Sequence, residues 1–232
     1  INVAGPDLRF WHAAPGASPA SPFLASQGQA FGQGTTDLLA RLSVAVVGCS
    51  GTGSLVIEQL VRLGVGEIVL VDFDRMEDRN VNRILNSTVE DAKQGRPKVE
   101  VQADAIERVG FGTRVVRVTA DLWTREAVDA VASCDVAFGC MDTASGRYLL
   151  NLVATYYSIP YFDLGVRLDA VPEGPAQGHI REVCGTVHYL LPGRSSLVSR
   201  GLVTMERVRA ERLRRRDPEA YACQLDDGYI RG

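Results

Sequence analysis

Apolar positions along this chain fall into short unbroken runs that alternate with segments of three-to-four-residue periodicity, a pattern that begins at residue 37. LSVAVVG (42–48) is a β-branched run of the kind a strand shows when it is buried on both faces. GSLVIEQLVRLG (53–64) follows, with Val56, Leu60 and Leu63 at helical spacing and Gly64 as a stop. Further strands are predicted at EIVLVDFD (67–74), RVVRVTA (114–120), DVAFGC (135–140) and IPYFDLGV (159–166). Between them, PKVEVQADAIERV (97–109) opens a helix with proline in its first turn, and REAVDAVAS (125–133) and SGRYLLNLVATYYS (145–158) supply two more. Strands separated by helices require right-handed crossovers. The pattern therefore predicts a Rossmann-like, doubly wound α/β domain with a mostly parallel sheet.

The flanks read differently. Residues 1–36 are rich in Gly, Ala, Pro, Ser and Gln with almost no periodicity, which predicts an arm or a few loose turns that need another surface to pack on. HIREVCGTVHYLLPG (179–193) alternates enough for one or two antiparallel strands, and RGLVTMERVRAERLRRRDPEAYA (200–222) reads as one charged helix. The expected organisation is an arm over 1–36, the Rossmann-like domain over 37–170, and a small antiparallel and helical extension over 171–232 for partner binding or a crossover loop. GYIRG offers no closing element, so the domain is expected to continue in another segment or partner.

Composition narrows the class. With 46% hydrophobic and 23% charged residues the chain is ordinary for a globular protein. No apolar run approaches the roughly 20 residues that span a bilayer, and INVAGPDLRFWHAAPG lacks the order of a signal peptide. A net charge of −3 does not favour nucleic acid. Five cysteines without a CxxC pair suit a reduced, cytoplasmic protein. His12, His179 and His188 are scattered and read as structural.

The chemistry starts at VGCSGTGSLVIEQL (47–60), where three glycines separate a strand from a helix. Glycine there means a sharp turn or close approach to a ligand, and the usual ligand is a phosphate held by amides at a helix N-terminus. Either Asp72 or Asp74, after the second strand, suits a ribose, as in a nicotinamide-linked oxidoreductase. That reading leaves DFDRMEDRNVNRILNS (72–87), GRPKVE (95–100) and CMDTASGR (140–147) unexplained. Those segments bring Asn80, Arg83, Lys98 and Asp142 to the carboxyl edge of the sheet, where open α/β folds bind ligands. A carboxylate for ribose, an Arg and a Lys for phosphate charge, and a further Asp for magnesium make a triphosphate site.

The glycine loop GCSGTGS, the D-F-D…N-x-x-R run, the P-K that opens the next helix and the D-T-x-x-x-R of CMDTASGR resemble the ubiquitin-activating enzymes and their bacterial relatives ThiF, MoeB and HesA over roughly 37–170. FGQGTTDLLARL is similar to the family's lead-in helix. The resemblance implies an adenylyltransferase that binds ATP and Mg2+ and activates the C-terminal carboxylate of a ubiquitin-like or sulfur-carrier protein, or of a peptide, with release of pyrophosphate. It implies a homodimer. Carried over, Gly48, Gly51 and Gly53 shape the turn, Asp72 (with Asp74 beside it) serves the ribose, and Asn80, Arg83 and Lys98 contact phosphates. Arg83, Lys98 and Asp142 are the implied catalytic groups, Asp142 as the magnesium ligand, while Arg147 braces its loop. Asp142 is also a natural N-cap for the helix behind it.

Three departures from the family stand out. Ser50 replaces the second glycine of a usual G-x-G-G, which a negative φ tolerates. Ser26 and Gln27 stand where many relatives carry an Arg that reaches across the dimer, and Arg9 lies farther out. Ser196 and Ser199 stand where many relatives have zinc cysteines, so no zinc site is expected. Cys184 and Cys223 are the candidates for a thioester cysteine beyond the sheet. Two alternatives follow: a tRNA-base dehydratase of the same family, supported by the basic stretch 206–216, and a non-catalytic homologue acting as a dimerising or partner-binding module.

Overall fold

A strand buried on both faces sends alternate residues into two different cores, and the run at 43–47 does so: Val44 and Val46 join one apolar cluster, Ala45 and Val47 another. In a computed structural model, which describes residues 22–170 and 178–226, the order of elements is α1 (Ala25–Phe31), α2 (Gln33–Leu39), β1 (Ser43–Val47), α3 (Gly51–Arg62), β2 (Glu67–Val71), α4 (Val89–Lys93), α5 (Lys98–Val109), β3 (Arg114–Val118), α6 (Arg125–Ala132), β4 (Val136–Gly139), α7 (Ala144–Tyr156), β5 (Tyr161–Ala170), β6 (Ile180–Leu190), α8 (Met205–Arg216) and α9 (Pro218–Asp226).

The strands form one sheet in the order β3-β2-β1-β4-β5-β6. All neighbours are parallel except β5 and β6. The expected doubly wound, mostly parallel sheet is therefore present. One core contains Ile57, Leu60, Val99 and Ile106 from α3 and α5; the other contains Val131, Leu150 and Val208 from α6, α7 and α8. The chain winds outward from β1 to β3, then returns to β4 on the far side of β1. This reversal opens a crevice between the ends of β1 and β4, the place where such sheets bind ligands.

Helix α3 stops as its sequence says. Gly64 takes φ +76°, the Val65 amide donates to the Leu60 carbonyl at 3.2 Å, and the Gly64 amide donates to Val61 at 2.9 Å. These are the paired bonds of a Schellman end.

Three features differ from the sequence expectation. The arm is helical from Pro22 onward, and it packs on its own chain: Phe23 stacks on Phe111 with centroids 5.6 Å apart. Residues 1–21, with Arg9 and His12, lie outside the described residues. The charged helix is two helices, because Pro218 cannot continue α8 and leaves Asp217 extended at φ −148°, ψ 85°. Residues 179–193 supply one antiparallel strand, β6, as expected, and it joins the main sheet. Helix α4 was not anticipated, although a capping box announces it: the Thr88 hydroxyl accepts from the Asp91 amide at 3.2 Å and Asp91 accepts from the Thr88 amide at 2.8 Å. Among the described residues no helix is long and apolar enough to cross a membrane.

Gly64→Ala is expected to cost about 1–2 kcal/mol from the left-handed backbone alone, and more because its Cβ would lie 2.5 Å from Leu24 Cδ1. Gly34→Ala, in α2 with open space around it, is expected to be neutral or slightly stabilising. Urea midpoints of the two variants check the contrast.

Candidate functional site

The chain leaves β1 through Gly48 at φ +95°. A Cβ there would lie 2.9 Å from the Cys140 carbonyl oxygen, so the glycine loop rests directly on the exit of β4. A Cβ on Gly53 would lie 1.8 Å from the Gly48 carbonyl oxygen. Both positions admit only glycine. Within the fold Gly51 is less confined: a Cβ would meet only Arg83, its side chain at 3.5 Å and its carbonyl oxygen at 3.6 Å, both ordinary contacts. Ser50 has φ −91°, which any residue adopts, so serine fits in place of glycine. Its side chain does not cap α3, and the first-turn amides with the helix dipole make a seat for an anion.

Asp72 anchors this loop. Its Oδ2 accepts from the Cys49 amide at 2.7 Å and its Oδ1 from the Asp74 amide at 2.8 Å. The carboxyl is 9% exposed, and that burial pushes its pKa above 3.8 against the pull of the two amides. A carboxylate offers about four lone-pair sites, so capacity remains for two hydroxyls. Asp74 pairs with Lys98 at 2.6 Å, and the lysine, 6% exposed, keeps further N–H donors.

The segment after β2 closes over α3. Leu85 donates its amide to the Ser54 hydroxyl at 3.0 Å, and that hydroxyl donates to the Gly51 carbonyl at 3.0 Å. This holds the exposed Arg83 alongside Gly51, with its guanidinium on the Arg79 carbonyl. Asn80 is buried, and its Oδ1 accepts from the Glu77 amide at 3.0 Å, which caps the turn.

Asp142 lies exposed in the loop after β4. It is not the cap of α7: that is Thr143, whose hydroxyl accepts from the Gly146 amide at 3.3 Å. Beneath the loop, Arg147 makes a two-pronged ion pair with Asp163, one bond being 3.0 Å. Asp163 also accepts from the Tyr161 hydroxyl at 2.6 Å. Burial, with Asp163 beside it, raises the Tyr161 pKa well above 10. Asp163 is fully buried and was missed by sequence reasoning; the signal was an ionisable residue inside the apolar run YFDLGV.

The remaining candidates stand apart. Burial raises the pKa of Cys49 well above its ordinary value and pushes Cys140 up to about 12, so both are inert thiols. Cys184, on β6, donates its thiol to Glu182 at 2.9 Å, which raises its pKa. Cys223 is on the exposed α9. Ser196 and Ser199 use their hydroxyls on each other's amides, at 3.1 and 2.8 Å. Gln27, in α1, donates to the Leu63 carbonyl at 3.0 Å. Of the arginines on the basic helix, Arg215 pairs with Asp121 at 2.5 Å and Arg212 lies 5.1 Å over the Trp123 ring. An open hollow between α1 and α2, bordered by Leu24, Gly28 and Thr36, carries no charged lining and lies on a different part of the molecule from the glycine loop.

The chain matches the model of the ThiF family over residues 24–185. It is 27% identical over 204 residues to ubiquitin-like modifier-activating enzyme 5 of Culex quinquefasciatus, covering 82% of this chain and 48% of that one. It is 34% identical over 138 residues to the SAMP-activating enzyme E1 of Haloferax volcanii, covering 57% of this chain and 50% of that one. The chain thus spans about half the length of these relatives. In fold it is similar to E. coli MccB with ATP (TM-score 0.60, 18% identity, 75% of this chain and 50% of that one). It is also similar to E. coli tRNA N6-threonylcarbamoyladenosine dehydratase, TcdA, in complex with ATP (TM-score 0.58, 23% identity, 68% and 70%).

Gly53→Ala is expected to cost more than about 3 kcal/mol, since the overlap is with backbone, whereas Gly51→Ala is expected to stay within about 1 kcal/mol of wild type; chemical denaturation reads both. The folded chain holds the Asp72 proton more tightly than the unfolded chain does. Its contribution to stability is thus present at low pH and lost as pH rises from 3.8 through the higher folded value. Asp72→Asn is expected to remove that component from the pH dependence of the urea midpoint, and an unchanged slope would overturn the assignment.

Proposed function

The chain belongs to the ThiF family, and on that premise we propose that it is an ATP-dependent adenylyltransferase that activates a C-terminal carboxylate. The observation that carries the reading is the crowding of one seat. Arg83 lies along Gly51, Cys140 abuts Gly48 and Asp72 holds Cys49, all at the N-terminus of α3 and the reversal point of the sheet. That donor set fits a nucleoside triphosphate: amides and two cations for phosphates, a buried carboxylate with lone pairs for ribose hydroxyls, and an exposed Asp142 for a magnesium ion that phosphates also ligate.

In this reading ATP and the partner's tail are substrates. A carboxylate oxygen bonds to the α-phosphorus as the bond to the bridging β-oxygen breaks, and pyrophosphate leaves. Positioning and charge neutralisation suffice for such a transfer, with no protein base. Arg83 and Lys98 offset negative charge on the transferred group and on pyrophosphate, Asn80 orients beside them, and Arg147 stiffens the loop of Asp142 through Asp163. The substrate class we propose is a ubiquitin-like or sulfur-carrier protein, or a peptide, with a free C-terminal carboxylate. The relatives' names support it. A homodimer is part of the proposal, supported by the exposed apolar face that Val166, Leu168, Val183 and Val187 present on the β5–β6 ribbon. A cytoplasmic setting is part of the proposal.

Calorimetric titration tests the reading. ATP with Mg2+ is expected to bind wild type, to weaken at least tenfold in Asp142→Ala and in Arg83→Ala, and NADH is expected to give no heat. Silence with ATP would overturn the proposal in favour of a non-catalytic partner-binding module. Nucleotide binding with no pyrophosphate exchange against any carboxyl-tailed partner would do the same for catalysis.

A further inference from the structure

Two helix N-termini flank the crevice between β1 and β4, and the chain treats them oppositely. At α3 the residue in the cap position makes no side-chain cap. At α7 every first-turn amide is taken. The Ala144 and Ser145 amides donate to the two oxygens of Glu211 at 3.0 and 2.7 Å, and Gly146 donates to Thr143. Glu211 comes from α8, 66 residues beyond Ser145 in sequence, and its side chain is only 25% exposed.

Helix α8 is itself firmly seated. Val208 is buried in the core shared with α6 and α7. Arg215 pairs with Asp121 and Arg212 covers Trp123, both in the loop that follows β3. Arg207, one turn before Glu211, sits 3.6 Å from its carboxylate. Thus α8 touches the loop after β3 and the first turn of α7 together, at the carboxyl edge of the sheet.

We propose that Glu211 is a positioning residue for the nucleotide site. By holding the first two amides of α7 it holds the 140–143 segment, and with it Asp142. Its charge also satisfies the α7 terminus. Helix α8 is then a wall of the site. This inference rests on the nucleotide reading above.

Two measurements separate its failure from the failure of that reading. Without any nucleotide, amide hydrogen exchange at 141–146 is expected to speed at least tenfold in Glu211→Ala, with less change in Glu211→Gln, whose single carbonyl oxygen can still take one amide. With ATP held fixed, the Mg2+ concentration for half-maximal binding is expected to rise at least fivefold in Glu211→Ala, with partial rescue in Glu211→Gln, while Mg2+-free ATP binds as in wild type. Urea midpoints of both variants separate this from general loss of stability. Unchanged exchange would overturn the proposal. Faster exchange with wild-type Mg2+ dependence would reduce Glu211 to a helix cap and overturn it too. If wild type binds no ATP, the nucleotide reading falls, and exchange alone decides whether Glu211 holds the loop.

Discussion

One buried carboxylate ties the glycine loop to the second strand. Asp72 takes the Cys49 amide on one oxygen and the Asp74 amide on the other. Burying an ionisable group is costly, and the raised pKa of Asp72 records that cost. Hydrogen bonds to a charged acceptor return about 1.5–3 kcal/mol each, so two of them offset much of it. The rest of the edge follows. With Cys49 held, Gly48 meets Cys140 and Gly53 meets Gly48, so strand, loop and helix touch backbone to backbone. With Asp74 held, its carboxylate meets Lys98 at the start of α5.

A second ionic anchor does the same for the other half of the sheet. Asp163 is fully buried on β5, and Arg147 from α7 neutralises it while Tyr161 fills a further lone pair. Removing one partner of such a pair leaves an uncompensated charge, which is far more costly than the pair itself is stabilising. The two anchors lie on opposite sides of the β1–β4 crevice. Between them they fix the helices whose N-termini face it.

The parallel strands were legible because a strand covered by helices on both faces is dominated by apolar residues, as in the SVAVV of β1, and such runs are hard to mistake. The glycine loop was legible for a similar reason: at Gly48 and Gly53 a side chain has no room, so composition follows geometry. Other features were less visible. Helix α4 is five residues long, too short for periodicity to register, and only its capping box marks it. The break at Pro218 lay in plain view, yet the charge pattern runs across it without interruption. Gly51 looked equivalent to its neighbours in the motif, and only the tertiary structure shows that the fold leaves it more room.

What the amino-acid order determined by itself was local or periodic: which segments are strands, where α3 stops, where the backbone must turn, and which charged residues follow which strand. Each rests on interactions within a few residues or on burial averaged along an element. What the tertiary structure decided was pairing at a distance. That Arg147 answers Asp163, and that Glu211 on a late helix closes the start of α7, depend on groups 16 to 67 residues apart. No spacing rule connects them, because the folded sheet and not the chain brings them within reach.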